Sequence, residues 1–232
     1  MYHAVPPRQQ GTDSRLGTLT QTPDALDLAA LISSRLCHDV ISPVGAIVNS
    51  LEVLEEEGDE EMRTFALDLV KKSARQASAR LQFARLAFGA AGSAGASIDL
   101  ADAEQVARGA LSDGKTELSW SGPRALLPKN RVKLLLNMIV VAGTTIPRGG
   151  TLAVTIEGAE TAPTFRIVTA GISARVPVGL VDLLGGATPE HGLDAHVIQP
   201  FYTGLVARAA QMEVTITGDE NGAVLTAVPS AP

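Results

Sequence analysis

The residues in this chain best placed to do chemistry are His38 and Asp39, followed by Ser42 and Pro43. A histidine is largely unprotonated near neutral pH, so an exposed imidazole can act as a nucleophile toward a group carried by another molecule. Projected at about 100° per residue, residues 31–54 place Leu36, Val40, Val44, Ile47, Leu51 and Leu54 within about 40° of one line, a core stripe. His38 falls about 160° from that line, on the side of Ser34, Arg35, Ser42, Gly45 and Asn49. A histidine that has to reach a macromolecular partner needs that outward placement. On this helix alone, a surface histidine of no consequence is the favoured reading, since solvent-facing histidines are common.

The elements that must position His38 can be read outward from it. Residues 1–21, rich in Gln, Thr, Pro, Gly and Arg, form a tail with no apolar period. Thr22-Pro23-Asp24 is a helix start, with Thr22 as N-cap, Pro23 at the first helical position and Asp24 in the first turn. The helix runs to Leu54, and the following EEEGDEE supplies a glycine break and acids for a second start. The second helix, residues 60–88, spaces Met62, Phe65, Leu69, Ala77, Leu81, Ala84 and Phe88 along one face. Two helices of this length, each about 45 Å long, cannot enclose a core as a lone hairpin. Two copies forming a four-helix bundle would bury both stripes and leave each His38 outside.

The small-residue run GAAGSAGAS marks a linker, and the texture then changes. Helices are expected over residues 100–111, 129–142 and 198–210, with strands over 116–120, 151–157, 164–169, 213–217 and 223–227. The fold class is therefore α+β. The hairpin occupies residues 22–89, the linker 90–97, and an α/β sandwich 98–232.

Composition narrows the function. Aromatics make up 3% of the chain and the net charge is -6, which disfavours a nucleic-acid surface, since a phosphate backbone wants a basic footprint. The single cysteine, Cys37, rules out an intrachain disulfide and is expected to be a small helix-packing residue. No Cys/His grouping has metal-ligand spacing. No uninterrupted run of 18 apolar residues and no leader-like start is present, so the expectation is a cytoplasmic protein with no membrane span.

The order of hairpin, linker and mixed domain resembles that of histidine kinases, whose box carries a histidine, then an acid, and a proline five residues after the histidine. His38, Asp39 and Pro43 stand in those positions. The kinase-type ATP domain departs from the family in three places. Asn137 fits the first position of the asparagine box, but the Mg²⁺-ligating position is Val141, which offers no oxygen to a hard cation. The stretch aligned with Asp-x-Gly-x-Gly is Thr169-Ala170-Gly171-Ile172-Ser173, without the carboxylate or the second glycine. The stretch aligned with the phosphate-binding Gly-x-Gly-x-Gly loop is Phe201-Tyr202-Thr203-Gly204-Leu205, with one glycine. Retained histidine and lost nucleotide boxes are the pattern of the dimeric histidine phosphotransferases of alphaproteobacterial phosphorelays, and LCHDVISPVGAIVNSLEVLEEE and LQFARLAFGAAG are similar to that family in wording over residues 25–228.

That resemblance implies a homodimer that shuttles a phosphoryl group in a cell-cycle phosphorelay. His38 would be the nucleophile, and Asp39 would hold the proton on the other ring nitrogen. Arg35, Ser42, Gly45 and Asn49 would form the docking surface. The implied partners are the receiver domain of a CckA-like hybrid histidine kinase and response regulators of the CtrA and CpdR type. The chain would use no ATP and no metal of its own, Mg²⁺ coming from the receiver. His3, His191 and His196 receive no role. An ATP-using kinase, a response-regulator phosphatase using Ser42 to position water, and a non-catalytic scaffold are the competing readings.

Overall fold

The computed structural model describes residues 23–56, 58–89, 96–112, 114–158, 161–190 and 192–231. The N-terminal tail, Thr22 and most of the linker, residues 90–95, lie outside the described residues. The start of helix α1 (Ala25–Glu56) is capped by Asp24, whose carboxylate accepts from the backbone N–H groups of Leu26 and Asp27, both at 2.8 Å. The acid expected in the first turn is thus the cap itself, one residue before the helix. Asp59 caps α2 (Glu60–Ala87) in the same way, and Arg63 reaches back across the tip to the Leu54 carbonyl at 2.9 Å.

The two helices meet along small residues. Pro43 and Ser50 of α1 and Ala66, Ser73 and Ala77 of α2 are the buried residues of this contact, which lets the backbones approach closely. Several of the larger apolar residues stay outside it. Ile41, Val44, Val48 and Leu51, spaced three, four and three apart, form an exposed line on α1, with Met62 and Phe65 of α2 exposed near the same end of the hairpin. Of the expected core stripe, Val44 and Leu51 are exposed and Leu36, Val40, Ile47 and Leu54 are half-buried. Cys37 is exposed, contrary to the packing role expected of it.

The C-terminal part is a two-layer α/β sandwich. Strands β2 (Thr116–Ser121), β4 (Gly150–Glu157), β5 (Thr164–Ala170), β6 (Met212–Gly218) and β7 (Gly222–Pro229) form one sheet in the order β2-β4-β5-β7-β6. β2 runs parallel to β4, and the other neighbours are antiparallel. Alternation puts Leu152, Val154, Ile156, Phe165, Ile167 and Leu225 on the buried face. Against that face pack α3 (Leu100–Ala110), α4 (Lys129–Thr144) and α6 (Ile198–Ala209). The helices and long strands fall where the residue pattern puts them. Three short elements do not announce themselves: β1 (Ser97–Asp99), β3 (Leu126–Pro128), paired with it, and α5 (Leu180–Gly185). β1 moves Ser97 from the linker into the sandwich.

Hairpin and sandwich are joined by the last turns of α2. Phe83 and Ala87 enter the main core, Asn137 of α4 donates to the Ala87 carbonyl at 2.9 Å, and the Phe88 ring lies 5.5 Å from that of Tyr202 on α6. A second, smaller core joins α1 to the sandwich, with Leu28, Leu31 and Ile32 packed against Leu183, Ile198 and Phe201. The sandwich therefore holds both helices of the hairpin at the end away from its tip.

Candidate functional site

His38 stands midway along α1 with its side chain 73% exposed, as the helical projection expects. Its Nδ1 lies 3.6 Å from Oδ1 of Asp39, leaving Nε2 as the ring nitrogen turned away from the carboxylate. The other oxygen of Asp39 takes Arg35 Nε, one turn earlier, at 3.4 Å. Arg35 therefore braces the carboxylate that faces the histidine.

Pro43 has a local consequence for this group. In an α-helix the carbonyl of Asp39 would accept from the N–H of residue 43, and proline has none. Arg80 of α2 fills that place, its Nη1 donating to the Asp39 carbonyl oxygen from across the hairpin. The residue pair Asp39 and Pro43 thus creates an acceptor, and Arg80 ties the second helix to the site through it. The missing donor is legible from the spacing. Which side chain supplies one is not.

Beside this group lies a cavity of about 490 Å³ between the hairpin and the sandwich, its wall including His38, Asp39, Ser42 and Arg80 as well as Phe83 and Ile139. Ser42 is thus brought to the histidine. Gly45 and Asn49 lie farther along α1 and do not line the cavity; open space surrounds the Cα of Gly45, and Asn49 is exposed. Gln199, also on the wall, donates to Oδ1 of Asn137 at 2.8 Å, while its own Oε1 is buried with no partner among the described residues.

His196, which no sequence motif singles out, sits at this site. Its ring centroid is 6.2 Å from that of His38, the two planes crossing at 75°. Asp194 fixes the backbone there, Oδ1 accepting from the N–H groups of His196 at 2.8 Å and Val197 at 3.0 Å. Those bonds, Val197's first, hold the Asp194 carboxyl below its usual value. His3 and His191 lie outside the described residues.

The three departures from the nucleotide boxes have structural counterparts. Val141 is fully buried in α4. Thr169 is buried, its hydroxyl 2.7 Å from that of Thr145 and accepting from the N–H of Ala223 at 3.2 Å, so this position is occupied by contacts within the protein. Residues 201–205 are part of helix α6, with Phe201 and Thr203 buried. Gly204 is kept for packing, since a Cβ there would fall 2.1 Å from the carbonyl oxygen of Leu184.

Among known proteins, a family model described as the histidine phosphotransferase C-terminal domain matches residues 100–222. The protein phosphotransferase ChpT of Brucella abortus (strain 2308) is 53% identical over 210 residues, spanning 90% of this chain and 99% of that one. A solved structure of a bacterial phosphotransferase superposes with a TM-score of 0.81 at 51% identity, covering 90% of this chain and all of the other.

Proposed function

The chain belongs to the histidine phosphotransferases, and from that membership we propose that it passes a phosphoryl group between receiver-domain aspartates through Nε2 of His38. The observation that carries this assignment is the exposed imidazole with Asp39 against Nδ1. With the Nδ1 proton facing the carboxylate, Nε2 keeps its lone pair. That lone pair attacks the phosphorus of a receiver's acyl phosphate in line. The Nε2–P bond forms as the P–O bond to the aspartate breaks, and its electron pair leaves on the receiver carboxylate. The ring becomes a phosphorylated imidazolium, with Asp39 beside its Nδ1–H. Discharge onto a second receiver runs the same bond changes in reverse.

ATP has no part in this cycle, and Mg²⁺ belongs to the receiver's acidic pocket. Support for the first statement is the chemistry at the three box positions: a buried valine, a threonine engaged with Thr145 and a helix in place of a loop. The receiver docks over α1 around His38, with Arg35 and Ser42 beneath it and the open space at Gly45 admitting a partner helix. The donor is the receiver of a hybrid kinase, and the acceptors are response regulators.

The working unit is a homodimer. Ile41, Val44, Val48 and Leu51, with Met62 and Phe65, are a line of exposed apolar side chains at helical spacing, as a bundle seam requires. α1 is also, by length and composition alone, apolar enough to cross a membrane. Arg35, His38 and Asp39 lie in its middle, where charge is costly in hydrocarbon, so the apolar line is assigned to a second copy and the protein to the cytoplasm.

The test offers the full chain labelled ATP alone and, separately, a phosphorylated receiver domain. Label arriving only from the receiver, acid-labile and lost in His38→Ala, is the expected result. Label taken directly from ATP would make the chain a kinase.

A further inference from the structure

Resting on the reading that His38 carries the phosphoryl group, we propose that His196 is a positioning residue of the transfer site: an imidazole supplied by the sandwich whose protonated form pairs with the phosphoryl group on His38 and so couples the phosphoryl equilibrium to pH. The two rings lie edge to face at 6.2 Å. With Asp39 at Nδ1, the phosphoryl group goes onto Nε2, and its oxygens then have the His196 ring among their near neighbours.

His196 is held there. The Asp194 carboxylate fixes its backbone, and on either side of it Leu193 and Val197 pack into the cluster that includes Leu28, Leu31 and Ile32 of α1. A loop clamped to the helix that bears His38 keeps the second ring in register with the first.

The surrounding charges leave His196 as the group that responds. α1 contributes Arg35, paired with Asp39; α2 contributes Arg80, donating to the Asp39 carbonyl. Both guanidiniums are charged at every relevant pH. The cavity wall from α3 and α4 is apolar, with Ala110, Ile139 and Val140. Asp194, on the same loop, is the acid beside His196, its carboxylate accepting from the His196 backbone N–H. A phosphoryl group brings about two negative charges, which favour protonation of a neighbouring imidazole. By linkage, protonated His196 favours phospho-His38 to the same extent. No proton of His196 enters the bond changes; the Nε2–P bond forms and the donor's P–O or P–N bond breaks as before, while His196 takes up a proton from solvent. The contribution of His196 therefore favours charging of His38 as pH falls through neutrality, and discharge as it rises.

The test uses full-length wild type, His196→Gln and His38→Ala, phosphorylated chemically with phosphoramidate, which releases ammonia. The His196 ring is titrated by NMR with and without phosphate on His38. The expected result is a rise of about one pH unit in its midpoint on phosphorylation. The equilibrium ratio of phosphorylated to free His38, wild type relative to His196→Gln, should then fall about sixfold between about pH 6 and pH 8. A merely structural His196 would leave that ratio flat. A phosphorylated His38 with an unmoved midpoint and a flat ratio would overturn this inference alone. No phosphoramidate resonance that depends on His38 would remove the phosphoacceptor assignment and the inference together.

Discussion

At the scale of single residues, the site is one helix turn and its two cross-braces. His38 and Asp39 are adjacent in sequence, and the exposure of His38 follows from the helical projection, so the pair is legible from the residues alone. Arg80 and His196 are not, because their relevance depends on the hairpin closing and the sandwich docking. The Asp39–Arg80 bond makes a double-variant prediction. Arg80→Met leaves the Asp39 carbonyl without its donor and should cost about 1–3 kcal/mol in thermal or urea unfolding. Pro43→Ala restores a backbone N–H one turn on, so the double variant should lose clearly less than the sum of the single losses. Strict additivity would show that Arg80 acts elsewhere.

At the scale of elements, the long helices and strands declared themselves by period, while β1, β3 and α5 did not. The first two are three residues each, too short for an alternation to be read, and α5 is six residues between two left-handed glycines. Of the apolar stripe expected on α1, Leu36, Val40, Ile47 and Leu54 are half-buried and Val44 and Leu51 are exposed. Small residues serve the contact with α2, and several large ones are left over. Asn137 shows a box residue kept for a different task, joining the end of α2 to α6 through Ala87 and Gln199. Gly204 has the same character. Gly204→Ala would place a methyl against the Leu184 carbonyl, forcing α5 and α6 apart at a cost of about 1–3 kcal/mol, read as a lowered Tm. An unchanged Tm would mean that this contact is loose.

At the scale of the whole molecule, a sandwich that departs from the nucleotide boxes is joined to a hairpin that presents an exposed histidine. The sandwich holds both helices of the hairpin away from its tip, α2 through Phe83 and Ala87 and α1 through Leu28, Leu31 and Ile32. Dimerisation is assigned to the exposed line on α1. Val48→Glu places an acid in that line, and burying it unpaired should cost about 4 kcal/mol, raising the dimer dissociation constant about a thousandfold in analytical ultracentrifugation. A variant that stays dimeric at the same concentration would move the interface to another face.

The central claim is passage of the phosphoryl group through His38, and a two-step chase tests it most directly. The chain is charged from a labelled receiver, freed of it, and given a second, unlabelled receiver. The account predicts acid-labile label on the wild-type chain, none on His38→Ala, and transfer of that label to the second receiver's aspartate. A His38→Ala chain that still accepts and hands on the label would contradict it.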